Sequence, residues 1–233
     1  MRLDSHQHFT AAYTPELLFP ILKRNRFEGS VVVCSEHDTA HHLQLASQHD
    51  FIRGVVAWVD LDDPNLRAVL DEYQRHPKLR GVTGPLGAGL AELQRRHLTL
   101  DVEGPALVPQ IARRHPELRI VIDHLGRPPA AGHRPPFEAI EQAAEHPLVF
   151  GKLSGLITHC PTRWKADDFR PYVQHALRTF GPHRLMFGSD WPSYLPDGTF
   201  KESLAAFTQS IGALPLEMRE QLLGGTAERA YGI

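Results

Sequence analysis

Eight short runs of apolar, largely β-branched residues recur along the chain, each closing on polar or small residues. They are Leu3 to His6, Ser30 to Cys34, Arg53 to Asp60, Leu79 to Thr83, Leu98 to Glu103, Leu118 to His124, Leu148 to Ser154 and Arg184 to Asp190. Several, such as Val31-Val32-Val33 and Ile120-Val121-Ile122, are continuous rather than alternating. Continuous runs suit strands buried on both faces, as in a parallel sheet covered by helices. Between them, apolar positions return at helical spacing. Leu66, Val69, Leu70 and Tyr73 share one face, Phe137, Ile140 and Ala144 a second, and Val173, Leu177 and Phe180 a third. Asp63-Pro64 and Thr14-Pro15 read as helix starts, and Gly181-Pro182 as a stop.

Four junctions share a device: His76-Pro77, His115-Pro116, His146-Pro147 and Gly181-Pro182-His183 each close a helical stretch just before the next strand. Proline cannot continue a helix and biases the residue before it toward extended backbone. Eight strands alternating with helices predict an α/β fold, a compact (β/α)8 barrel in one domain over residues 1–233. An open doubly wound sheet is the rival. No glycine-rich phosphate loop follows any strand, which weighs against the nucleotide-binding form of that rival. Pro128 to Pro136 reads as one long loop after the sixth strand rather than as a linker.

Composition narrows the partners. The chain has 233 residues, 42% hydrophobic and 22% charged, with a net charge of −2. Nothing in that balance favours nucleic acid or an anionic membrane surface, so a small-molecule substrate is expected; the sequence leaves the oligomeric state open. Two cysteines, Cys34 and Cys160, are too few for a disulfide framework, and a reducing cytoplasm is the expected setting. No apolar stretch resembles a signal peptide or reaches membrane-spanning length.

Histidine is the unusual residue, at fifteen copies, and position must sort them. In a barrel, catalytic groups sit where strands end at their C-terminal side, while the opposite face serves stability. His76, His115, His146 and His183 fall on the stability face, and His41, His42, His49, His97 and His175 on or beside helices. His6 and His8 instead end the first strand as x-His-x-His, an i, i+2 pair that points to one side. His124 ends the sixth strand and Asp190 the eighth. First and eighth strands adjoin in a closed barrel, so Asp190 is expected beside His6 and His8. Glu103, ending the fifth strand, is a candidate carboxylate ligand or base, its alternative a solvent-facing turn acid. Lys152 lies inside a buried run, where an unpaired charge is costly, so an inward functional role is favoured. Arg127, Trp164 and Trp191 are candidate substrate walls.

At these residues the chain resembles the amidohydrolase-related family of metal-dependent hydrolase barrels, and within it the sugar-lactonase and 2-pyrone-4,6-dicarboxylate-lactonase branch. The resemblance is carried by Asp4-Ser5-His6-Gln7-His8-Phe9, Gly54-Val55-Val56-Ala57-Trp58-Val59-Asp60-Leu61, Ile122-Asp123-His124-Leu125-Gly126-Arg127-Pro128, Lys152-Leu153-Ser154-Gly155-Leu156 and Arg184-Leu185-Met186-Phe187-Gly188-Ser189-Asp190-Trp191-Pro192. It implies that His6 and His8 are metal or substrate ligands, His124 the sixth-strand histidine and Asp190 the eighth-strand general base. The expected reaction is hydrolysis of a lactone, with His124 or Lys152 stabilising the oxyanion. A divalent metal, zinc foremost, is expected on His6, His8, Glu103 and Asp190; some lactonases of this kind look competent without one. Departures are plain. The fourth strand reads Gly81-Val82-Thr83-Gly84 where relatives usually carry an arginine, Glu103 stands where many amidohydrolases have histidine, and loops after the first and fourth strands are short. Decarboxylase chemistry on the same barrel, and an inactive ligand-binding barrel, are the alternatives.

Overall fold

A computed structural model describes residues 1–126, 136–158 and 164–233. In chain order its elements are β1 (Leu3–Gln7), α1 (Pro15–Arg24), β2 (Gly29–Val33), α2 (Thr39–Gln48), β3 (Ile52–Trp58), α3 (Leu66–Tyr73), β4 (Leu79–Thr83) and α4 (Leu90–Arg95). They continue with β5 (Thr99–Val102), α5 (Val108–Arg114), β6 (Ile120–Ile122), α6 (Phe137–Ala144), β7 (Val149–Leu153), α7 (Ala166–Phe180) and β8 (Leu185–Phe187). Helices α8 (Phe200–Ile211), α9 (Leu216–Glu220) and α10 (Thr226–Tyr231) complete the chain. All neighbouring strands pair in parallel, in the order β1 to β8.

The seam between first and last strands is made differently from the other pairings. Backbone N–H groups of Asp190 and His8 donate to the His6 and Trp191 carbonyls at 2.9 and 2.8 Å. Below them the Asp4 carboxylate accepts from the Ser189 backbone N–H at 2.7 Å and its hydroxyl at 2.6 Å. Because Asp4 is fully buried, desolvation pushes its pKa up to about 7, against the pull of those donors. The seam closes the barrel.

Every expected strand is present, but six end before their apolar runs do, β3, β6 and β8 by two residues or more. β6 stops at Ile122 and β8 at Phe187 because the chain leaves extended geometry just beyond them, at His124, Leu125 and Asp190, all with positive φ. Likewise α3 starts at Leu66 rather than at Asp63-Pro64, since the Asp63 side chain accepts from the Asn65 N–H and holds a turn there.

Two apolar layers hold the fold. Outward strand residues such as Val32, Ile52, Val55, Leu100, Ile120 and Leu153 pack under the helices. Inside the barrel, Leu3, Val31, Val56, Val121, Phe150 and Met186 meet Ala227, Ala230 and Tyr231 of α10, which plugs the N-terminal end. Among the described residues, no helix is long and apolar enough to cross a membrane.

Candidate active site

The C-terminal ends of β1, β6, β7 and β8 converge on one point. His8 Nδ1 lies 2.8 Å from the Val33 carbonyl, which fixes a proton on that nitrogen and turns the Nε2 lone pair inward. There Nε2 stands 3.1 Å from Nε2 of His6. The other His6 nitrogen lies 3.2 Å from Lys152 Nζ and 3.3 Å from Asp123 Oδ1. Burial, reinforced by the Lys152 charge, lowers the His6 pKa to about 3. His6 is therefore a neutral imidazole, with a lone pair to offer.

His124 and Asp190 reach the same point from strained backbone. Their φ angles are 52° and 64°, left-handed values uncommon outside glycine. What over-determines them is visible: the buried Tyr172 hydroxyl lies 2.8 Å from the His124 carbonyl and 3.0 Å from that of Leu125. His124 Nδ1 lies 2.8 Å from Ser154 Oγ, and Thr158 Oγ1 donates to Asp190 Oδ2 at 2.6 Å. The rings of His6 and His124 are 4.5 Å apart.

Two glycines make room. A Cβ at Gly155, itself at φ +64°, would sit 3.0 Å from His124 Nδ1 and 3.3 Å from Asp190 Oδ2, and one at Gly188 would lie 2.7 Å from the His6 Cβ.

Charge in the pocket is set by these neighbours. Burial holds His124 below the ordinary histidine value. For Asp190 burial alone would raise the pKa, but the surrounding imidazoles and the Thr158 hydroxyl outweigh it and keep the carboxyl below its usual range. The result is an ionised Asp190 carboxylate beside the His6 and His124 rings.

A polar layer supports the mouth from beneath. Lys152 Nζ is 2.7 Å from Asp101 Oδ2 and 2.8 Å from Asp123 Oδ1, and it has no accessible surface. Burial would lower its pKa, yet the two carboxylates raise it. The same lysine holds Asp123 well below the usual carboxylate range, while Asp101, pushed up by burial, titrates near about 7. From the barrel floor the Tyr231 hydroxyl donates to Asp101 Oδ2 at 2.7 Å.

The structure brings together most of the expected residues and withdraws others. His6, His124 and Asp190 each place a donor atom within 4.8 Å of the others, with His8 Nε2 3.8 Å from Asp190 Oδ1. Glu103 is solvent-exposed beyond β5 and lies outside that group; the β5 carboxylate facing inward is Asp101. Lys152 is inward as expected, but full burial under His6 removes it from direct contact with an oxyanion. Trp191 is 1% exposed, packed against Phe9 and Tyr13, so its indole belongs to the core rather than to a pocket wall. Trp164 is half-buried against Phe169. Arg127 lies outside the described residues. Tyr172, Thr158, Asp101, Asp123 and Tyr231 carry no role in the sequence; for Asp101 alone, its shared strand parity with Glu103 is a signal that it faces inward.

The donor chemistry fits a divalent metal. Two neutral imidazoles and a carboxylate, within reach of one another on strand ends, are a zinc set with room for an exchangeable ligand. His6 and His124 need no deprotonation to bind at neutral pH.

Comparison with known proteins identifies the family and the fold. The amidohydrolase family profile matches residues 88–233. An L-fucono-1,5-lactonase of Burkholderia ambifaria is 34% identical, the match covering 100% of this chain and 96% of the relative. An amidohydrolase of Burkholderia multivorans, crystallised with bound zinc, superposes with a TM-score of 0.88 at 32% identity, over 100% of this chain and 99% of that one. A structure described as a 2-pyrone-4,6-dicarboxylic acid hydrolase from Pseudomonas putida shares the fold, at a TM-score of 0.81 and 23% identity over 99% and 97% of the two chains.

Proposed function

The chain belongs to the amidohydrolase family, and from that premise we propose that it hydrolyses a lactone of a sugar acid, with Asp190 as general base. The observation that carries this reading is the meeting of His6, His124 and Asp190 within 4.8 Å at the mouth of the barrel. The similarity to an L-fucono-1,5-lactonase supports a six-membered sugar-acid lactone as the substrate class.

Asp190 is ionised, and Thr158 occupies Oδ2, which leaves Oδ1 to take the proton of an attacking water. Its backbone, pinned to the His6 carbonyl, fixes where that oxygen points. His124, neutral and paired with Ser154, has one nitrogen left: without metal it faces the lactone carbonyl or the ring oxygen that departs, and with zinc bound it would be a ligand instead. His6, His124 and Asp190, with His8 beside them, are the residues that would hold zinc. When bound, zinc lowers the pKa of water and polarises a carbonyl. Lys152 acts only through Asp123 and His6, setting the orientation and charge of the imidazole above it. Trp164 and Arg127 are proposed to contact substrate. A free, buried Cys34 thiol suits a reducing cytoplasm.

The test is a panel of sugar-acid lactones and pyrones, assayed with and without chelator, for the native chain and Asp190→Asn. Turnover of a sugar-acid 1,5-lactone with release of acid, and a fall in kcat of about 10²–10⁴-fold in the variant, are expected. Unchanged turnover in that variant would remove Asp190 as base, and release of carbon dioxide instead of acid would replace the reaction.

A further inference from the structure

A second group of donors gathers where β2 hands over to α2. Cys34, just past β2, Asp38, just before α2, and His42, one turn into it, each place a ligand atom within 4.8 Å of the others. The spacing is four residues at each step, and Asp38 and His42 share a helix face as an i, i+4 pair. Cys34 is 3% exposed and the His42 side chain 2%.

The arrangement is unsatisfied as it stands. His42 Nδ1 and Asp38 Oδ1 face each other at 3.2 Å, yet both are buried atoms without a hydrogen-bond partner. The His42 ring also hydrogen-bonds the backbone carbonyl of Phe9, which keeps its proton on that side. Nδ1 is then a bare lone pair aimed at a carboxylate oxygen. Two acceptors in contact, away from water, repel. Protonating the ring would relieve this, but burial holds His42 below its ordinary value, despite Asp38.

We propose that Cys34, Asp38 and His42 bind one thiophilic divalent cation of the zinc type, at a site separate in its residues from His6, His124 and Asp190. One sulfur, one imidazole and one carboxylate make a zinc-type set with a fourth position left for water. The bond from His42 to a backbone carbonyl is the outer contact that metal-bound histidines carry. Burial, and after it the Asp38 charge, push the Cys34 thiol up, against the hydrogen bonds that the sulfur takes from Thr39 and the Trp58 backbone, so it is the cation that must displace the proton. On binding, the Cys34 S–H bond breaks, a sulfur–metal bond forms and the proton passes to solvent. The cation braces the β2–α2 junction beside Val33, the residue whose carbonyl orients His8.

Cobalt(II) titrated into the chelator-treated, full-length protein provides the test, because thiolate–cobalt charge transfer absorbs in the near ultraviolet and the chain has only two cysteines. The native chain and Cys160→Ser are expected to develop the band, and Cys34→Ala to lack it. Asp38→Asn, altering a partly exposed ligand, is expected to weaken cobalt binding about tenfold or more. Asp190→Asn should keep the band, which separates this site from any failure of the proposed hydrolase. No band in the native chain, a band that survives Cys34→Ala, or unchanged affinity in a folded Asp38→Asn protein would each overturn the proposal.

Discussion

Lys152 Nζ stands 2.8 Å from Asp123 Oδ1, and the same oxygen lies 3.3 Å from Nδ1 of His6. One buried cation thus bridges the carboxylates of Asp101 on β5 and Asp123 just past β6, beneath the His6 imidazole. Removing one partner of such a group leaves the others as uncompensated charge in a dry interior. Lys152→Met is expected to destabilise the fold by about 3–5 kcal/mol. Denaturant unfolding measures this; a loss below about 1 kcal/mol, within the range of an exposed ion pair, would contradict the described burial.

Tyr172→Phe removes the hydroxyl shared by the His124 and Leu125 carbonyls. Leaving buried acceptors unpaired costs about 1–3 kcal/mol. Because those carbonyls belong to residues in left-handed backbone, kcat should fall along with stability. Full activity in a destabilised variant would show that the strained turn holds without the tyrosine.

Gly155→Ala places a methyl 3.0 Å from His124 Nδ1 at a residue with φ +64°. Backbone strain alone is about 1–2 kcal/mol. The methyl also presses on the imidazole and on Asp190, so kcat is expected to fall about tenfold or more. Steady-state kinetics alongside thermal unfolding separates the two effects.

Glu92 supplies a test far from the mouth. The Arg95 guanidinium, together with Arg96, holds its pKa at about 2, against a usual 4.5. A carboxyl with a depressed folded pKa contributes stability above its unfolded value and loses it as pH falls through the folded one. The stability gap between the native chain and Glu92→Gln is therefore expected to be constant above about pH 4.5 and to close toward about pH 2. Urea midpoints across that range measure it, and a gap that does not change with pH would rule out the carboxylate as its source.

The barrel was legible because its strands announce themselves. Val31-Val32-Val33 and Ile120-Val121-Ile122 can hardly be anything but double-buried strands, and proline closes the helices between them. His6, His8, His124 and Asp190 were legible for a related reason: strand ends in a barrel share one rim, so position alone predicts their meeting. The layer under them was not. Asp101 and Asp123 look like ordinary acids near strand ends, and their pairing with Lys152 and Tyr231 depends on which residues stand opposite across the axis. Sequence spacing carries no information about that. Trp191 lies deeper than its place beside Asp190 suggests, because the seam uses the large aromatic for packing. Lys152 pointed inward as its cost in a buried strand required, yet depth along the strand placed it one layer too low to touch a substrate.

The clasp of Asp4 by Ser189 joins residues 185 positions apart. Contacts so distant in sequence must wait for the intervening chain to organise, since the entropy of closing so long a loop is met before they form. His6 and Asp190 come together only through that seam, so turnover cannot begin while the first and last strands are still apart. Recovery of activity during refolding is then a clock for the final docking event, and it should lag the return of helical signal.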